Sequence, residues 1–333
     1  MPYPNGGVPK TFTYGPSNID EILATTVSSY MKKMADNIYI RIPTLNFLIK
    51  KGKKHSELIS GVSLVVPIKY KKNSTAMFYS GDDVLDITTQ NNYTAAQYLW
   101  KQAAAAVTLN GLEATMNRGK QALINLVNER LLDAEESGQQ MLAAALFNTN
   151  PGADDLLPIS QLVDASSSIG DIASASNPWW QANVISSGSF SAEGVADMRN
   201  LYNTLSQYGT ETATTEGDLP DVVVTTQQIH QFYEGTLVPQ ERFTSTDQGD
   251  AGFGKLLFKA TPIVWDPADT NTGVLYMLNT NHIELVVGEG KEWFPSKWIE
   301  SQTQDKKVCR LVWIGCLYCN ARRNNGKLTG ITA

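Results

Sequence analysis

The segment 249–255, GDAGFGK, has the spacing of a phosphate-binding loop, in which a lysine follows the second of two separated glycines. In such loops the backbone N–H groups hold phosphate oxygens, and a Ser or Thr after the lysine binds magnesium. Here Leu256 follows the lysine. A strand-like segment also replaces the helix whose N-terminus would attract phosphate. We therefore interpret the spacing as a chance match.

Three cysteines lie near the C-terminus, and two of them, Cys316 and Cys319, have the spacing of a redox or zinc pair. The surrounding sequence, VCRLVWIGCLYCNARR, is rich in β-branched and aromatic residues and predicts a strand. Side chains three positions apart in a strand point to opposite faces, so the two sulfurs would not converge. No second pair or nearby histidine completes a zinc site. We expect buried, reduced thiols.

The three histidines, His55, His230 and His282, are far apart in the sequence, and no two have the spacing of metal ligands. The chain contains neither a GxSxG nor an HExxH motif. Both motifs place a nucleophile or a metal in a recognisable local structure. Because an enzyme of this size would be expected to show such a constellation, the sequence predicts no catalytic, cofactor or metal site.

Two charged clusters lie in the first third of the chain, one basic and one acidic. They are Lys69, Lys71 and Lys72, and Asp82, Asp83 and Asp86. The aspartates could collect a divalent cation, although acidic turn residues are the simpler interpretation. The lysines form either a solvated face or a surface that docks by charge onto another copy, which would set register more than affinity. All six are candidate inter-subunit contacts.

The composition of the 333 residues excludes some classes of function. The net charge of −6 argues against a protein that coats DNA or RNA, because phosphate binding needs clustered positive charge. Only 18% of residues are charged, below the usual quarter. A surface rich in neutral polar groups suits a chain that buries much of its outside against other chains. No signal peptide or membrane-spanning run is predicted, which indicates folding in a cytosol.

The longest helical signal runs from 112 to 147, with apolar residues at three- and four-residue steps. Asn117 can cap its start, and the sequence after 147 stops it. Taken from 118 to 147, the helix would be roughly 45 Å long. It is typical of a rod that carries separate sheets, or of a long core helix in a large enzyme.

The elements before this helix form an apolar arm and a ribbon. A helix is predicted at 17–34 and a short strand at 37–43, ended by proline. The segment 58–70 reads as one strand of a ribbon, with a lysine-rich base and an acidic outer end. An isolated ribbon is unstable in water and needs a surface to lie on. The alanine-rich segment 93–109 is ambiguous, with a slight preference for helix.

The elements after the long helix alternate between helix and strand. Residues 152–189 predict a loop with short strands, anchored by a Trp pair at 179–180. The segment 191–209 predicts a helix capped by Ser191 and ended by Gly209. The further predictions are a strand at 219–226, a helix at 227–237, and strands at 256–265, 274–279, 283–287 and 307–320. The pattern indicates an α/β lobe followed by C-terminal strands.

Two features can be compared with known families: the order of these elements, and local phrases such as DVVVT at 221–225, FKATPIVWD at 258–266 and YMLNT at 276–280. In both respects the chain resembles the major capsid proteins of tailed bacteriophages. The resemblance covers essentially the whole chain. It implies an α+β fold of the Hong Kong 97 type, with an N-terminal arm, an extended β-ribbon loop, a long spine helix in a peripheral domain, and an axial α/β domain. It also implies that 93–109 is a returning strand.

The resemblance assigns boundaries to these parts. The arm would be 1–51, the extended loop 52–110 with its tip near 74–89, the peripheral domain with its spine helix 111–150, the axial domain 151–290, and the return strands 291–333. Many relatives carry a helical scaffolding segment at the N-terminus, and this sequence starts with a short arm instead. We expect scaffolding to be a separate protein or absent.

The function implied by the resemblance is structural. Hexamers and pentamers of the chain would close an icosahedral shell around double-stranded DNA, which would be packaged without sequence-specific binding. Partners would be other copies together with portal, scaffolding and decoration proteins, and no membrane. The protein would be found in the virion, after assembly in the host cytoplasm. The alternatives are an encapsulin-type compartment shell, a tail or baseplate protein, and a cytosolic α/β enzyme with an unrecognised site.

Overall fold

The computed structural model describes residues 40–51, 61–116, 126–207, 219–241 and 256–333. The chain divides into two units, one made of 1–39, 104–137 and 295–311 and the other of 40–103, 138–294 and 312–333. The first is called unit 1 and the second unit 2. The helix predicted at 17–34, the strand start at 37–39, the Gly209 helix end and the glycine–lysine segment 249–255 lie outside the described residues.

The described residues form short helices and thirteen strands, with one long helix. The helices are α1 Pro43–Lys51, α2 Gly111–Met116, α3 Leu126–Leu146, α4 Ile159–Leu162, α5 Val195–Leu205 and α6 Gln227–Glu241. The strands are β1 Ser63–Lys69, β2 Tyr93–Leu99, β3 Lys101–Asn110, β4 Asn183–Ser186, β5 Val222–Thr225, β6 Leu257–Phe258, β7 Thr261–Trp265, β8 Leu275–Leu278, β9 Ile283–Val287, β10 Phe294–Pro295, β11 Ile299–Glu300, β12 Lys306–Cys319 and β13 Gly326–Thr329.

Strands β1 and β2 form an antiparallel ribbon in unit 2, with Ser63 opposite Leu99 and Lys69 opposite Tyr93. The strand predicted at 58–70 is thus confirmed over 63–69. The helical preference of 93–109 was wrong, and the resemblance was right, because this segment is β2 and β3. Pairing of β2 with β1, and of β3 with β12, outweighs the helix propensity of the alanines.

The long helical signal becomes two helices in the described residues. Helix α3 has 21 residues, ends one residue before the predicted end, and is roughly 30 Å long. Helix α2 precedes it, and 117–125 lie outside the described residues. Gly138 is on the buried side of α3, where the ring of Trp293 occupies the space that a Cβ would need. That contact explains a glycine inside a helix.

Helix α1 was not predicted. Its first residue, Pro43, was interpreted as the end of a strand. Proline is favoured at the first helical position, because its N–H would lack a partner there and its φ already suits the helix. Leu45 and Leu48 are buried on one side of α1. One turn of apolar residues after a proline gave too short a periodic pattern to be recognised.

Unit 2 contains a mixed six-stranded sheet in the order β4-β13-β8-β5-β7-β6. The pairs β13–β4 and β5–β7 are parallel, and the other three are antiparallel. Helices α5 and α6 cover one face, where Leu201 and Ile229 pack with Val223 and Met277. All four residues of β5 are buried, which a run of Val predicts for a central strand.

Two predictions in this lobe are corrected. Ser191 does not cap a helix: it lies within a π-helical turn, Phe190–Gly194, and α5 follows at Val195 without a side-chain cap. The strand predicted at 256–265 is a hairpin, β6 and β7. It turns at Lys259 and Ala260, whose φ angles are +47° and +68°. Neither residue favours positive φ, so the sequence carried no turn signal.

The described part of unit 1 contains a buried ion pair. Glu113 of α2, only 3% exposed, accepts a hydrogen bond from Arg130 of α3 at 2.8 Å. The same guanidinium donates to the carbonyl of Thr108 on β3 at 2.9 Å. In this unit β11 pairs with β12 through Ile299 and Val308. No helix of the described residues is long and apolar enough to span a bilayer.

Candidate inter-subunit surface

Residues 70–92, here called the outer loop, begin where the β1–β2 ladder ends. The backbone N–H of Tyr70 still donates to the carbonyl of Asn92, and its hydroxyl donates to the carbonyl of Asn91. One further cross-link, from Ser74 Oγ to Gln90 Oε1, joins the two sides at 2.8 Å. No residue from 71 to 92 has a strand or helix assignment. The outer loop is therefore closed at its base and irregular beyond it.

Short polar turns give the outer loop its local shape. The Asn73 side chain accepts hydrogen bonds from the N–H and hydroxyl of Thr75. Asp83 accepts a bond from the N–H of Ser80 at 2.7 Å, and its own N–H donates to the Ser80 carbonyl. Asn and Asp commonly hold turns in this way, because their side chains replace a backbone acceptor. The turns satisfy polar groups locally and bury no apolar side chain.

The outer loop exposes six large apolar side chains. Phe78, Ile87 and Val84 are 105%, 93% and 92% exposed, and Met77, Tyr79 and Leu85 are about half exposed or more. Isolated exposed apolar residues are ordinary, but a contiguous set typically marks an interaction surface. Aromatic residues and methionine are enriched in such surfaces. Within one subunit these side chains remain in water.

The six charged candidates fall in two places, the lysines at the start of the outer loop and the aspartates near its middle. Lys69, at the end of β1, and Lys71 and Lys72, just beyond it, are all exposed. Asp82, Asp83 and Asp86 are exposed near the turn. Among the described ion pairs, none joins these lysines to these aspartates. The structure therefore brings no two of the opposite clusters together within one subunit.

Two of the three aspartates have a local role as turn residues. Asp86 accepts hydrogen bonds from the hydroxyl and the N–H of Thr88, at 2.6 and 2.9 Å. These bonds, led by that of the hydroxyl, hold the pKa of Asp86 below its ordinary value. Asp83 holds the turn described above. Within the described residues the structure contains no group of three or more His, Cys, Asp or Glu side chains placed to bind a metal ion.

The base of the ribbon, in contrast, packs on the body of unit 2. Val66, Ile68, Ala96 and Tyr98 alternate with exposed residues and are buried. The Tyr98 hydroxyl donates to the carbonyl of Cys319 at 2.7 Å. Burial raises the pKa of Tyr98, so the hydroxyl keeps the proton that it donates. The expectation that the ribbon needs a supporting surface is met here by its own chain.

The segment after α4 contacts the ribbon closely. The N–H of Gln97 on β2 donates to the carbonyl of Gly170 at 3.1 Å. Gly170 has a φ of +65°, and a Cβ there would lie 2.7 Å from that of Ala96. The rings of Tyr70 and Trp179 are 5.3 Å apart. The predicted Trp anchor is confirmed, since Trp180 is 1% exposed.

A buried arginine holds this supporting segment. Arg322 is fully buried and donates to the carbonyls of Leu162, Ser167, Gln161 and Asp164 and to the hydroxyl of Ser174. Most of its partners are backbone carbonyls of residues 161–167. Sequence reasoning missed this residue, because nothing in NARRN distinguishes Arg322 from its partly exposed neighbour Arg323.

The cysteines match their prediction. Cys309, Cys316 and Cys319 are free and buried. Burial raises the pKa of the Cys316 and Cys319 thiols to about 12, so both remain protonated and unreactive at neutral pH. His282 bonds to Asn320 through Nδ1 at 2.8 Å, and His230 lies 3.6 Å from Glu234. Both histidines have ordinary structural contacts.

Comparison with solved structures defines the class of fold. The chain has the mixed helix-and-sheet fold of phage capsid proteins, over nearly its whole length. No protein-family model matches the chain, and no curated protein matches its sequence. The similarity lies in the fold, because the identities are low.

Three structures illustrate this similarity. The capsid protein of cyanophage A-1(L) has a TM-score of 0.66 at 13% identity, with 91% of this chain and 96% of that chain covered. The capsid of a native GTA particle has a TM-score of 0.59 at 10% identity, over 93% and 98% of the two chains. The holo-SrpI encapsulin complex of Synechococcus elongatus PCC 7942 has a TM-score of 0.50 at 8% identity, over 90% and 92%.

Proposed function

We propose that this chain is a structural shell subunit, a major capsid protein that assembles with copies of itself into a closed container. One observation carries the proposal: the outer loop exposes six large apolar side chains, three of them almost completely, on a chain with the fold of phage capsid proteins. A second copy is the natural cover, because a shell repeats one contact around its whole surface. Many modest contacts made together give a stable shell.

The finer architecture of the proposal follows the capsid resemblance. The extended loop at 52–110 would reach a neighbouring subunit through its outer loop, and the arm at 1–51 would reach another. Residues 111–150 would form the peripheral domain with the spine helix, 151–290 the axial domain that points to the centre of a hexamer or pentamer, and 291–333 the return strands. In support, the base of the ribbon packs on unit 2 while the outer loop remains exposed.

The charged candidates would set the register of neighbouring subunits. Lys69, Lys71 and Lys72 would face acidic groups of one neighbour, and Asp82, Asp83 and Asp86 would face basic groups of another. All six are exposed, which leaves them available for this role. Exposed charge pairs contribute little affinity, but like-charge contacts penalise a wrong register.

The proposal extends to the contents and the partners of the container. Double-stranded DNA would be enclosed without sequence-specific binding, in keeping with the net charge of −6. Portal, scaffolding and decoration proteins would be further partners, and the mature protein would be part of a virion that assembles in the host cytoplasm. The role would be structural and not enzymatic.

The outer loop provides the direct test. We expect the double substitution Phe78→Ser with Ile87→Ser to abolish particles in negative-stain micrographs and to shift the protein to small oligomers in size-exclusion chromatography. The unfolding midpoint of the subunit should stay unchanged, because both side chains are already solvent-exposed. The matched control is Val62→Ser, an equally apolar residue that is 85% exposed outside the outer loop.

Deletion of 74–89 gives a stronger version of the same test. The subunit should fold, since the ribbon ladder from 63 to 69 and from 93 to 99 is retained. Assembly should fail. Normal particles from either variant would show that the outer loop does not join subunits. If the wild-type protein stays monomeric under all conditions, the proposal that it is a shell subunit is wrong.

An encapsulin-type shell is the second candidate, favoured by the similarity to an encapsulin over most of both chains. The two candidates share the container and differ in what fills it. Cryo-electron microscopy of particles purified from the native source separates them. Packed DNA with a portal at one vertex supports the capsid, whereas protein cargo without DNA or portal supports the compartment.

A further inference from the structure

The turn 266–271 of unit 2, between β7 and β8, touches two helices. The carboxylate of Asp266, only 1% exposed, accepts a hydrogen bond from the backbone N–H of Thr44 at 3.0 Å. Thr44 is in the first turn of α1, where N–H groups have no partner within the helix. A negative group there also compensates the helix dipole. Asp266 therefore caps α1 from a point 222 residues away.

The other end of the same turn holds the end of α3. The side-chain amide of Asn271 donates to the carbonyl of Phe147 at 2.9 Å, one residue after α3. The same amide lies 3.3 Å from the hydroxyl of Tyr276, whose ring packs 6.3 Å from that of Phe147. One six-residue turn thus fastens the start of one helix and the end of another.

Helix α1 borders an open pocket as well as the Asp266 cap. The pocket has a volume of about 330 Å³ and lies between α1 and the sheet. Its walls include Phe47 and Leu48 from the helix and Val222, Val224 and Leu278 from the strands. Wherever a helix side borders a pocket, it lacks the contacts that close packing would give there. The Asp266 cap and the buried Leu45 and Leu48 together attach α1 to unit 2.

Between the two fastenings lies a second carboxyl group, Asp269. It is 6% exposed. One oxygen accepts the backbone N–H of Asn271 at 3.0 Å, and the other has no hydrogen-bond partner. Its own N–H donates to the carbonyl of Asp266, so the two carboxyl groups belong to the same tight turn. A buried oxygen without a partner is costly if it carries charge.

We propose that the turn 266–271 is a proton-operated latch, in which Asp269 must be protonated for the turn to hold α1 and the end of α3 as described. Loss of the proton places a second negative charge beside Asp266 in a buried site. The turn then opens to admit water, and the cap on Thr44 is released. The proposal rests on these contacts alone and is independent of the shell function.

The charges around Asp269 favour the protonated form. Burial, assisted by the charge of Asp266, raises the pKa of Asp269 to about 7, against hydrogen bonds from Asn271 that lower it. Tyr276 is the titratable group on β8, and burial raises its pKa. Asp164, which also acts on Tyr276, is paired with Lys327 at 2.9 Å. Arg41, just before α1, lies over the ring of Trp265. Within the described residues, no cation is bonded to Asp269.

The direction of the pH dependence follows from this raised pKa. The folded protein holds the Asp269 proton more tightly than the unfolded chain does. The stability contributed by that proton is fully present below the ordinary pKa of 3.8 and is lost as the pH rises through about 7. Between these two values the equilibrium for opening the turn increases about tenfold per pH unit, and above about 7 it changes little.

Hydrogen exchange of the full chain tests the latch. We expect protection factors in 43–51, corrected for the chemical exchange rate, to fall as the pH rises from about 4 to about 7 and to change little above that range. Asp269→Asn, which is isosteric and permanently uncharged, should keep the low-pH protection throughout. Asp154→Asn removes an exposed carboxyl elsewhere and should behave as wild type. Identical profiles for wild type and Asp269→Asn would overturn the proposal.

A second measurement on the wild-type chain avoids dependence on how the variant folds. Infrared difference spectra should show the C=O stretch of a buried protonated carboxyl that disappears with a midpoint near pH 7. The band should be missing in Asp269→Asn. The latch is refuted if no carboxyl band titrates above pH 6, or if the band titrates while the protection of 43–51 stays constant.

Discussion

The core around Leu201 and the outer loop 70–92 differ in the solvent exposure of their apolar side chains. In the core, Leu201 of α5 and Ile229 of α6 pack against Met277 of the sheet, and all three side chains are essentially inaccessible to solvent. In the outer loop, Phe78, Val84 and Ile87 are surrounded by solvent. The first set stabilises the subunit. The second set lowers the solubility of the isolated subunit. It contributes burial energy only when another surface covers it.

This difference indicates that one set of residues stabilises the subunit and another set mediates its assembly. Substitutions that unfold the subunit should lie where the exposed fraction is near zero. Substitutions that block assembly should lie in the outer loop and leave unfolding unchanged. The ribbon base, with its buried Tyr98 and Val66, belongs to the first class although it is continuous in sequence with the second.

Arg322→Leu tests the strongest part of this division. We expect a loss of roughly 3–5 kcal/mol in the free energy of unfolding, because the carbonyls of residues 161–167 lose a buried donor. The measurement is denaturant unfolding of the unassembled chain. Arg323→Leu is the matched control, since the next arginine is partly exposed and should change stability by less than about 1 kcal/mol. If both variants lost the same free energy of unfolding, the role of Arg322 in holding residues 161–167 would be contradicted.

Leu201→Ala measures the packed core itself. Leu201 is 0% exposed beneath the sheet, and its truncation should cost about 2–5 kcal/mol by lost burial and an added cavity. Leu132→Ala, on a side of α3 where the residue is 52% exposed, should cost less than about 0.5 kcal/mol. Thermal unfolding of both variants checks the comparison, and a similar cost for both would break it.

Asp86→Ala should have the smallest effect on unfolding. The residue is fully exposed and its bonds to Thr88 are local, so the unfolding midpoint should not move. The amide of Thr88 should exchange faster with solvent, because it loses its acceptor. Asp82→Ala is the control, since no hydrogen bond to Asp82 is found in the described residues. A marked destabilisation by Asp86→Ala would show that the outer loop supports the fold.

Sequence reasoning succeeded where local pattern and tertiary context agree. The Val run of β5 and the cysteine-containing strand β12 were predicted to within a few residues. Helix α6 begins at Gln227, the predicted start, and extends beyond the predicted end. In each case the apolar pattern extends over more residues than the few by which its ends are uncertain. The fold of phage capsid proteins was recognised from the order of such elements.

The failures came from interactions between distant residues. The alanines of 93–109 prefer a helix in isolation, and only their partners in β1 and β12 make them strands. Helix α1 begins with a proline and is capped by Asp266, which no local window contains. The positive φ angles at Lys259 and Ala260 are imposed by the hairpin and not by the residues.

The candidate site was predicted in part. The acidic residues at 82, 83 and 86 and the lysines at 69, 71 and 72 were singled out from charge alone, and all are exposed. Their proposed role between subunits stays a prediction. The apolar residues of the outer loop were not singled out, because Phe78 and Ile87 look in sequence like ordinary strand residues. Only their exposure distinguishes them.

The neighbouring rings of Tyr70 and Trp179 give the molecule a built-in optical reporter. Their ring centroids are 5.3 Å apart, where the outer loop meets the body of unit 2. At this separation tyrosine passes its excitation to tryptophan, and the emission of the indole depends on the water around it. Any shift of the ribbon base during particle formation would therefore change the intrinsic fluorescence, and its time course could be followed without attaching a dye.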